Sequence, residues 1–397
     1  MKITKVEGLG RFGCIVEDMN YDSIEDWEKL KQINLETLVT VVRGGGKDRF
    51  NELTKNAPIV GRNRRSHETI LTKKYGPNPY GSFDKWDEVD KMSFSANKRW
   101  AKHQQLPENW HIVSGETDSE GKSLGAFGNV ECLWHSNESG CYYFTPLVIL
   151  YGARGMLGSS TGFCTTTDWY EKQSNAFRSE LDELIAHHEY KPYSVAPGAD
   201  ADHEAVLRRN FYMDDGADMP LVIKSPGGIV GLHFTYSSVH SFVGMSKNES
   251  DALIKKLVDE LYIPEYTYDA WWENDTGDFI MFDNTITTHN RTLRPGLPLA
   301  ETLSQRVAYR SHMDYRGLTD YEPFFQQEYN NRRKEYTDPM NYISDLVDRH
   351  REKRHILSLD QENAKEYGKR FSEQSLSAIM NTDITQEPNL AKFLIKK

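Results

Sequence analysis

From about residue 128 the chain becomes a series of short β-forming runs, and this limits its fold more than any other feature. The runs are Cys141 to Tyr151, Gly228 to Tyr236, Asp278 to Phe282 and Gln305 to Tyr315, five to eleven residues each. They are rich in Val, Ile, Phe, Tyr and Thr, whose branched or flat side chains suit a pleated, half-buried surface. Two amphipathic stretches lie between them. Ser174 to His188 carries Phe177, Leu181 and Leu184-Ile185 on one helical face, which would put His187 and His188 on a charged helix. Ser246 to Leu261 opens with Ser246 and Glu249 in capping-box spacing and aligns Leu253, Leu257 and Leu261. A mostly antiparallel β core with helices packed outside follows from this pattern.

The N-terminal part adds a helix from Ser23, the expected N-cap, to Asn34, with Ile24, Trp27, Leu30 and Ile33 at helical spacing. A strand from Leu38 to Val42 follows, ending at Gly44-Gly45-Gly46. Residues 61 to 125 are polar and weakly periodic, which predicts long loops. Beyond about 320 the chain is dense in charge, with a helical stretch from Met340 to His350. The expected organisation is one β-rich domain over 1–320 and a charged helical extension over 321–397 that packs on it.

Composition narrows the function. The 397 residues carry a formal charge of −11, which excludes general affinity for nucleic acid or anionic membrane. Aromatic residues make up 12%, enough to exclude a disordered chain. No apolar run approaches the roughly 18 residues of a membrane span, and the N-terminus lacks the apolar core of a signal peptide. Cys14, Cys132, Cys141 and Cys164 show no metal or disulfide spacing. A cytoplasmic protein acting on a small molecule is expected, its oligomeric state open.

Two of the 13 histidines stand out by context. His135 lies in Trp134-His135-Ser136-Asn137, and His289 closes the run Asp283 to His289 directly after a strand. On a strand, residues two apart face the same way, so His135 and Asn137 could meet one ion. Two imidazoles and one further ligand leave open positions on Fe(II) for O₂ chemistry. Downstream, Arg306 and Arg310 are four apart on one strand face. The planar guanidinium fork is the preferred partner of a carboxylate.

These segments together resemble the taurine dioxygenase group of Fe(II)/2-oxoglutarate-dependent oxygenases, over roughly residues 1 to 315. Trp134 to Asn137 stands where that family has WHxD. Ser160 to Thr165 (STGFCT) resembles its STGGDT segment. Pro264-Glu265 after the 246–261 helix is similar to its PE, and Asp283 to His289 is similar to its DNxxTxH. The resemblance implies a jelly-roll (double-stranded β-helix) core. It also implies oxidative decarboxylation of 2-oxoglutarate to succinate, with O₂, coupled to hydroxylation of a C–H bond in a small polar substrate. His135, Asn137 and His289 would hold the iron. Thr165 and Arg306 would hold the distal carboxylate of 2-oxoglutarate, and Arg310 its metal-proximal end.

Asn137 departs from the family carboxylate. Glu138, next door, would face the other way on a regular strand and could ligate only through irregular backbone. A neutral third position also opens two alternatives. In one, chloride joins the iron, as in the iron-dependent halogenases, which carry Ala or Gly there. In the other, the chain binds a ligand without turnover. Arg62, Arg64 and Arg65 form the densest basic cluster of the early chain, either a solvated loop or an anchor for an anionic substrate.

Overall fold

The computed structural model describes residues 1–63, 106–107, 110–117, 119, 125, 132–137, 146–188, 217–235, 237–293 and 303–315. The charged segment 321–397, the first part of the 141–151 run, Glu138, Arg64 and Arg65 lie outside these residues, as does most of the 61–125 stretch.

Two sheets face each other. The larger runs β1 (Lys2–Lys5), β2 (Cys14–Glu17), β3 (Val39–Val42), β15 (Phe279–Asp283), β7 (Leu147–Arg154), β17 (Val307–Tyr315) and β4 (Gly61–Asn63), with β5 (Trp110–Ser114) also on β17. All its pairs are antiparallel except β2 with β3. The smaller has the order β14 (Thr267–Trp271), β8 (Ser159–Thr165), β16 (Thr287–Leu293) and β6 (Cys132–His135). Pleat alternation fills the space between. Val148, Leu150, Ile280 and Phe282 of the larger sheet pack on Phe163 and Ala270 of the smaller. The expected antiparallel β core is present, built as a sandwich with helices on its outer faces.

Each outer layer follows from its sequence. α1 (Ile24–Thr37) starts where the Ser23 hydroxyl accepts the Asp26 N–H at 3.2 Å. Its Trp27 stacks on Phe279 with ring centroids 6.0 Å apart. Asn34, also on α1, is fully buried but donates to Thr40 and the Met281 carbonyl and accepts from Tyr315, so its burial carries little penalty. Ile24, placed by spacing on the buried face, is instead exposed, because it opens the first turn before the helix reaches the sheet. α2 (Phe50–Val60) packs beside α1.

On the other side, α3 (Thr167–Lys172) and α5 (Lys247–Leu261) cover the smaller sheet, with Trp169, Ile254, Leu257 and Leu261 around Cys164. The Ser246–Glu249 capping box forms in both directions. The 174–188 segment differs from expectation. α4 (Asn175–Asp182) ends early, and Ile185–His188 forms β9, paired with β10 (Ala217–Pro220) and β13 (Val239–Phe242). Pairing on both edges overrides the helical spacing of Leu184-Ile185. It also buries His188 against Ser238 rather than leaving it on a charged surface.

Candidate metal and 2-oxoglutarate site

The register of the smaller sheet assembles the site. On β16, alternate residues Thr287, His289 and Arg291 share one face, opposite Thr165, Phe163 and Thr161 of β8. Phe163 belongs to the sandwich core, so this is the interior face. Across the other edge of β16, His289 is the direct partner of His135 and Arg291 the partner of Cys132. The two imidazoles therefore meet, with centroids 4.2 Å apart. On the opposite face a Cβ at Gly162 would lie 2.0 Å from Asn290 Oδ1, so that side chain would have to shift to admit one.

Both imidazoles present a lone pair. His135 Nδ1 lies 2.6 Å from the Leu133 carbonyl, which can only accept, so Nδ1 carries the proton and Nε2 is left to ligate. Burial, and then the charges of His135, Arg310 and His312, hold His289 well below the usual imidazole range, so it is neutral. Its Nε2 is 3.5 Å from Asn137 Nδ2.

Asn137 reaches this point differently from the strand argument. β6 ends at His135, and Asn137 sits in the turn beyond it. Asn284 latches that turn: the Asn137 N–H donates to Asn284 Oδ1 at 2.9 Å, and Asn284 Nδ2 donates to the Asn137 carbonyl at 2.9 Å. Arg310 Nη1 donates to Asn137 Oδ1 at 3.0 Å. The turn from β15 into β16 is shaped by Asp283, whose Oδ1 accepts from the Thr285 N–H, the Thr285 hydroxyl and the Ile286 N–H. Burial pushes the Asp283 carboxyl up to about 6.

A cavity of about 50 Å³ opens beside the histidines, enough for several water-sized groups when one needs roughly 10–15 Å³. His135, His289, Thr161, Arg291, Arg306 and Arg310 line it. Arg306 is buried, its Nε donates to Ser159 Oγ at 3.1 Å, and burial with the nearby Arg291 charge pulls it down to about 9.

The structure thus brings together His135, Asn137, His289, Arg306 and Arg310. Thr165 stands apart: it pairs with Thr287 and is absent from the cavity lining, whereas Thr161 lines it, although both hydroxyls are buried and unpartnered. On a strand those two threonines are roughly 13 Å apart. Arg62 lies on β4, and nothing of its side chain is described. Thr161 and Arg291 also line the cavity and were not singled out from the sequence. The period-two rule that linked His135 to Asn137 would have found Arg291, two residues past His289.

The donor set fits a divalent ion through His135 Nε2 and the neutral His289, with the Asn137 amide as the third group. Among the described residues no cluster of three or more His, Cys, Asp or Glu could hold a metal, and Glu138 lies outside them. A sandwich with paired strand histidines and a cavity lined by arginine is the build of a non-haem iron oxygenase that takes an oxo-acid co-substrate.

The comparisons identify which group. The Taurine catabolism dioxygenase TauD, TfdA family matches residues 93–299, and the chain belongs to this family of iron- and 2-oxoglutarate-dependent dioxygenases. Among solved structures, AAD-2, in complex with Mn(II) and N-oxalylglycine, is 17% identical with a TM-score of 0.54, covering 79% of this chain and 97% of that one. A taurine dioxygenase from Burkholderia xenovorans is 18% identical with a TM-score of 0.50, covering 78% and 89%. At these identities the likeness shows the fold. No curated protein matches the chain. Among the described residues no helix is long and apolar enough to cross a membrane.

Proposed function

We propose that the chain hydroxylates a C–H bond of a small polar substrate, with His135, His289 and Asn137 holding Fe(II) and Arg306 and Arg310 holding 2-oxoglutarate. The observation that carries this reading is the direct pairing of His135 with His289, their rings 4.2 Å apart, at a cavity that also contains both arginines. Bound iron, with O₂ and 2-oxoglutarate, supplies the oxidation of the C–H bond. The chain's own residues position and shield. Leu133 fixes the His135 tautomer, Asn284 fixes the turn carrying Asn137, and Val148, Leu150 and Phe282 wall the cavity with apolar surface. Thr161 takes the place beside Arg306 that the motif alone assigned to Thr165.

Hydroxylation is favoured over chlorination by the Asn137 side chain itself. It fills the space between His289 and Arg310, where a halide would need room. The test is an anaerobic titration with Fe(II) and 2-oxoglutarate, following the visible charge-transfer band with and without chloride, then succinate release under O₂. A band indifferent to chloride, and lost in His135→Ala and His289→Ala, is expected. A chloride-shifted band would favour the halogenase reading. A folded protein with no band would make the chain a ligand-binding relative without turnover. Wild-type succinate release by either variant would mean the iron is held elsewhere.

A further inference from the structure

The turn between β7 and β8 is built against the segment that leads into Arg306. Gly155 lies in that turn at φ +64°, and a Cβ there would sit 2.1 Å from the Gln305 carbonyl oxygen, so glycine lets the two backbones meet. Four residues on, Ser159 opens β8 and is fully buried. Its N–H donates to the Met156 carbonyl at 3.2 Å, and its own carbonyl accepts from the Trp272 N–H at 3.2 Å, which fixes its backbone from both sides. Its hydroxyl has one proton, and that proton goes to the Met156 carbonyl at 2.7 Å. The Oγ lone pairs are therefore left for Arg306, whose Nε donates to them at 3.1 Å. Arg306 is itself buried and lines the cavity. Because the guanidinium is planar and rigid, holding Nε also sets the direction of both Nη groups.

We infer that Ser159 is a positioning residue for co-substrate binding: it holds Arg306 Nε and so aims the guanidinium at the distal carboxylate of 2-oxoglutarate, acting through the arginine rather than by contact. The inference rests on the role proposed above for Arg306 and adds the group that orients it. Preorganising a long side chain lowers the ordering cost that binding would otherwise carry. A serine that merely closed the 156–159 turn would affect folding and leave the affinity for the oxo-acid alone.

The experiment is anaerobic calorimetric titration of the full-length protein with Fe(II), then of the Fe(II)-loaded protein with 2-oxoglutarate. Ser159→Ala should weaken 2-oxoglutarate binding about tenfold, the order of one hydrogen bond to a charged group, and leave Fe(II) binding unchanged. In an Arg306→Met background the same substitution should cost nothing further, because the side chain it orients is gone. A folded Ser159→Ala protein overturns the role if it binds 2-oxoglutarate as the wild type does, if it loses Fe(II) as well, or if its loss persists in the Arg306→Met background. Should that variant not fold, Ser159→Cys decides. Close in size but a weaker acceptor, it should lose several-fold on 2-oxoglutarate alone, and an unchanged affinity or a matching loss of Fe(II) would overturn the proposal. Wild-type protein that does not bind 2-oxoglutarate, or an Arg306→Met protein that binds it undiminished, would reject the clamp reading of Arg306 itself, a result distinct from failure of the Ser159 role.

Discussion

Replacing Asn284 by alanine should loosen the site more than its distance from any ligand would suggest. The Asn284 side chain makes two hydrogen bonds of 2.9 Å to the Asn137 backbone, one in each direction, and both residues are buried. Each such bond contributes roughly 0.5–1.5 kcal/mol net, and each backbone group left unpaired in the interior costs roughly 1–3 kcal/mol. Water entering the vacated space would recover part of that penalty, so a loss of about 2–4 kcal/mol is expected. Against a typical total of about 5–15 kcal/mol, that is a large fraction. Urea denaturation of the metal-free protein measures it, read as a lower midpoint at unchanged m-value. The latch also holds the third ligand in place, so the added stability that saturating Fe(II) confers on the wild type should shrink in the variant. A loss below about 0.5 kcal/mol, the range of ordinary surface substitutions, would refute the latch. A full loss with undiminished stabilisation by Fe(II) would refute its link to the metal.

Four further substitutions separate the roles proposed for these residues. Asn137→Asp restores the carboxylate beside Arg310. It should tighten Fe(II) binding at least about tenfold, since a charged ligand replaces a neutral one, and weaker binding in a metal titration would show that Arg310 captures the new charge. Thr161→Val should raise the 2-oxoglutarate requirement about tenfold through one lost hydrogen bond, while Thr165→Val should not, and the reverse pattern in succinate assays would return the role to Thr165. Asp283→Asn tests the buried carboxyl held at about 6 rather than 3.8. The folded state takes up a proton between those values, so this group lowers stability as pH rises from about 4 to 6, by roughly 3 kcal/mol in all. The variant keeps the acceptor oxygen and loses that slope. Parallel stability-against-pH curves for the two proteins would contradict the assignment.

Much of this was legible in the chain because local chemistry and tertiary context agree. Ser23 and the Ser246–Glu249 box start their helices where a side-chain acceptor meets a free N–H, a purely local matter. The strand read over Leu38–Val42 forms over the β-branched run Val39–Val42, and the one read over Gln305–Tyr315 forms over Val307–Tyr315. The 174–188 segment misled because Leu184-Ile185 fits helical spacing, while its fate is set by two partner strands far along the chain. His135 and His289, the proposed ligands, were singled out by motif. Their meeting depends on a register between β6 and β16 that no local pattern encodes. Thr165 was chosen by likeness to a motif, and Thr161 emerges only when β8 is laid against β16.

That register also bears on the neutral third ligand. A carboxylate at residue 137 would offset positive charge at the centre, and this chain instead supplies an amide whose oxygen accepts from Arg310. The described lining of the cavity combines the two imidazoles with Arg291, Arg306 and Arg310. In the proposed site a doubly charged oxo-acid would bring two negative charges, one toward the metal end near Arg310 and one toward Arg306. On this arrangement iron and co-substrate should bind with positive cooperativity, because the anionic oxo-acid offsets the charge that the metal brings beside a neutral third group. An Asn137→Asp protein should then show weaker coupling between the two, because its own carboxylate already supplies part of what the co-substrate brings.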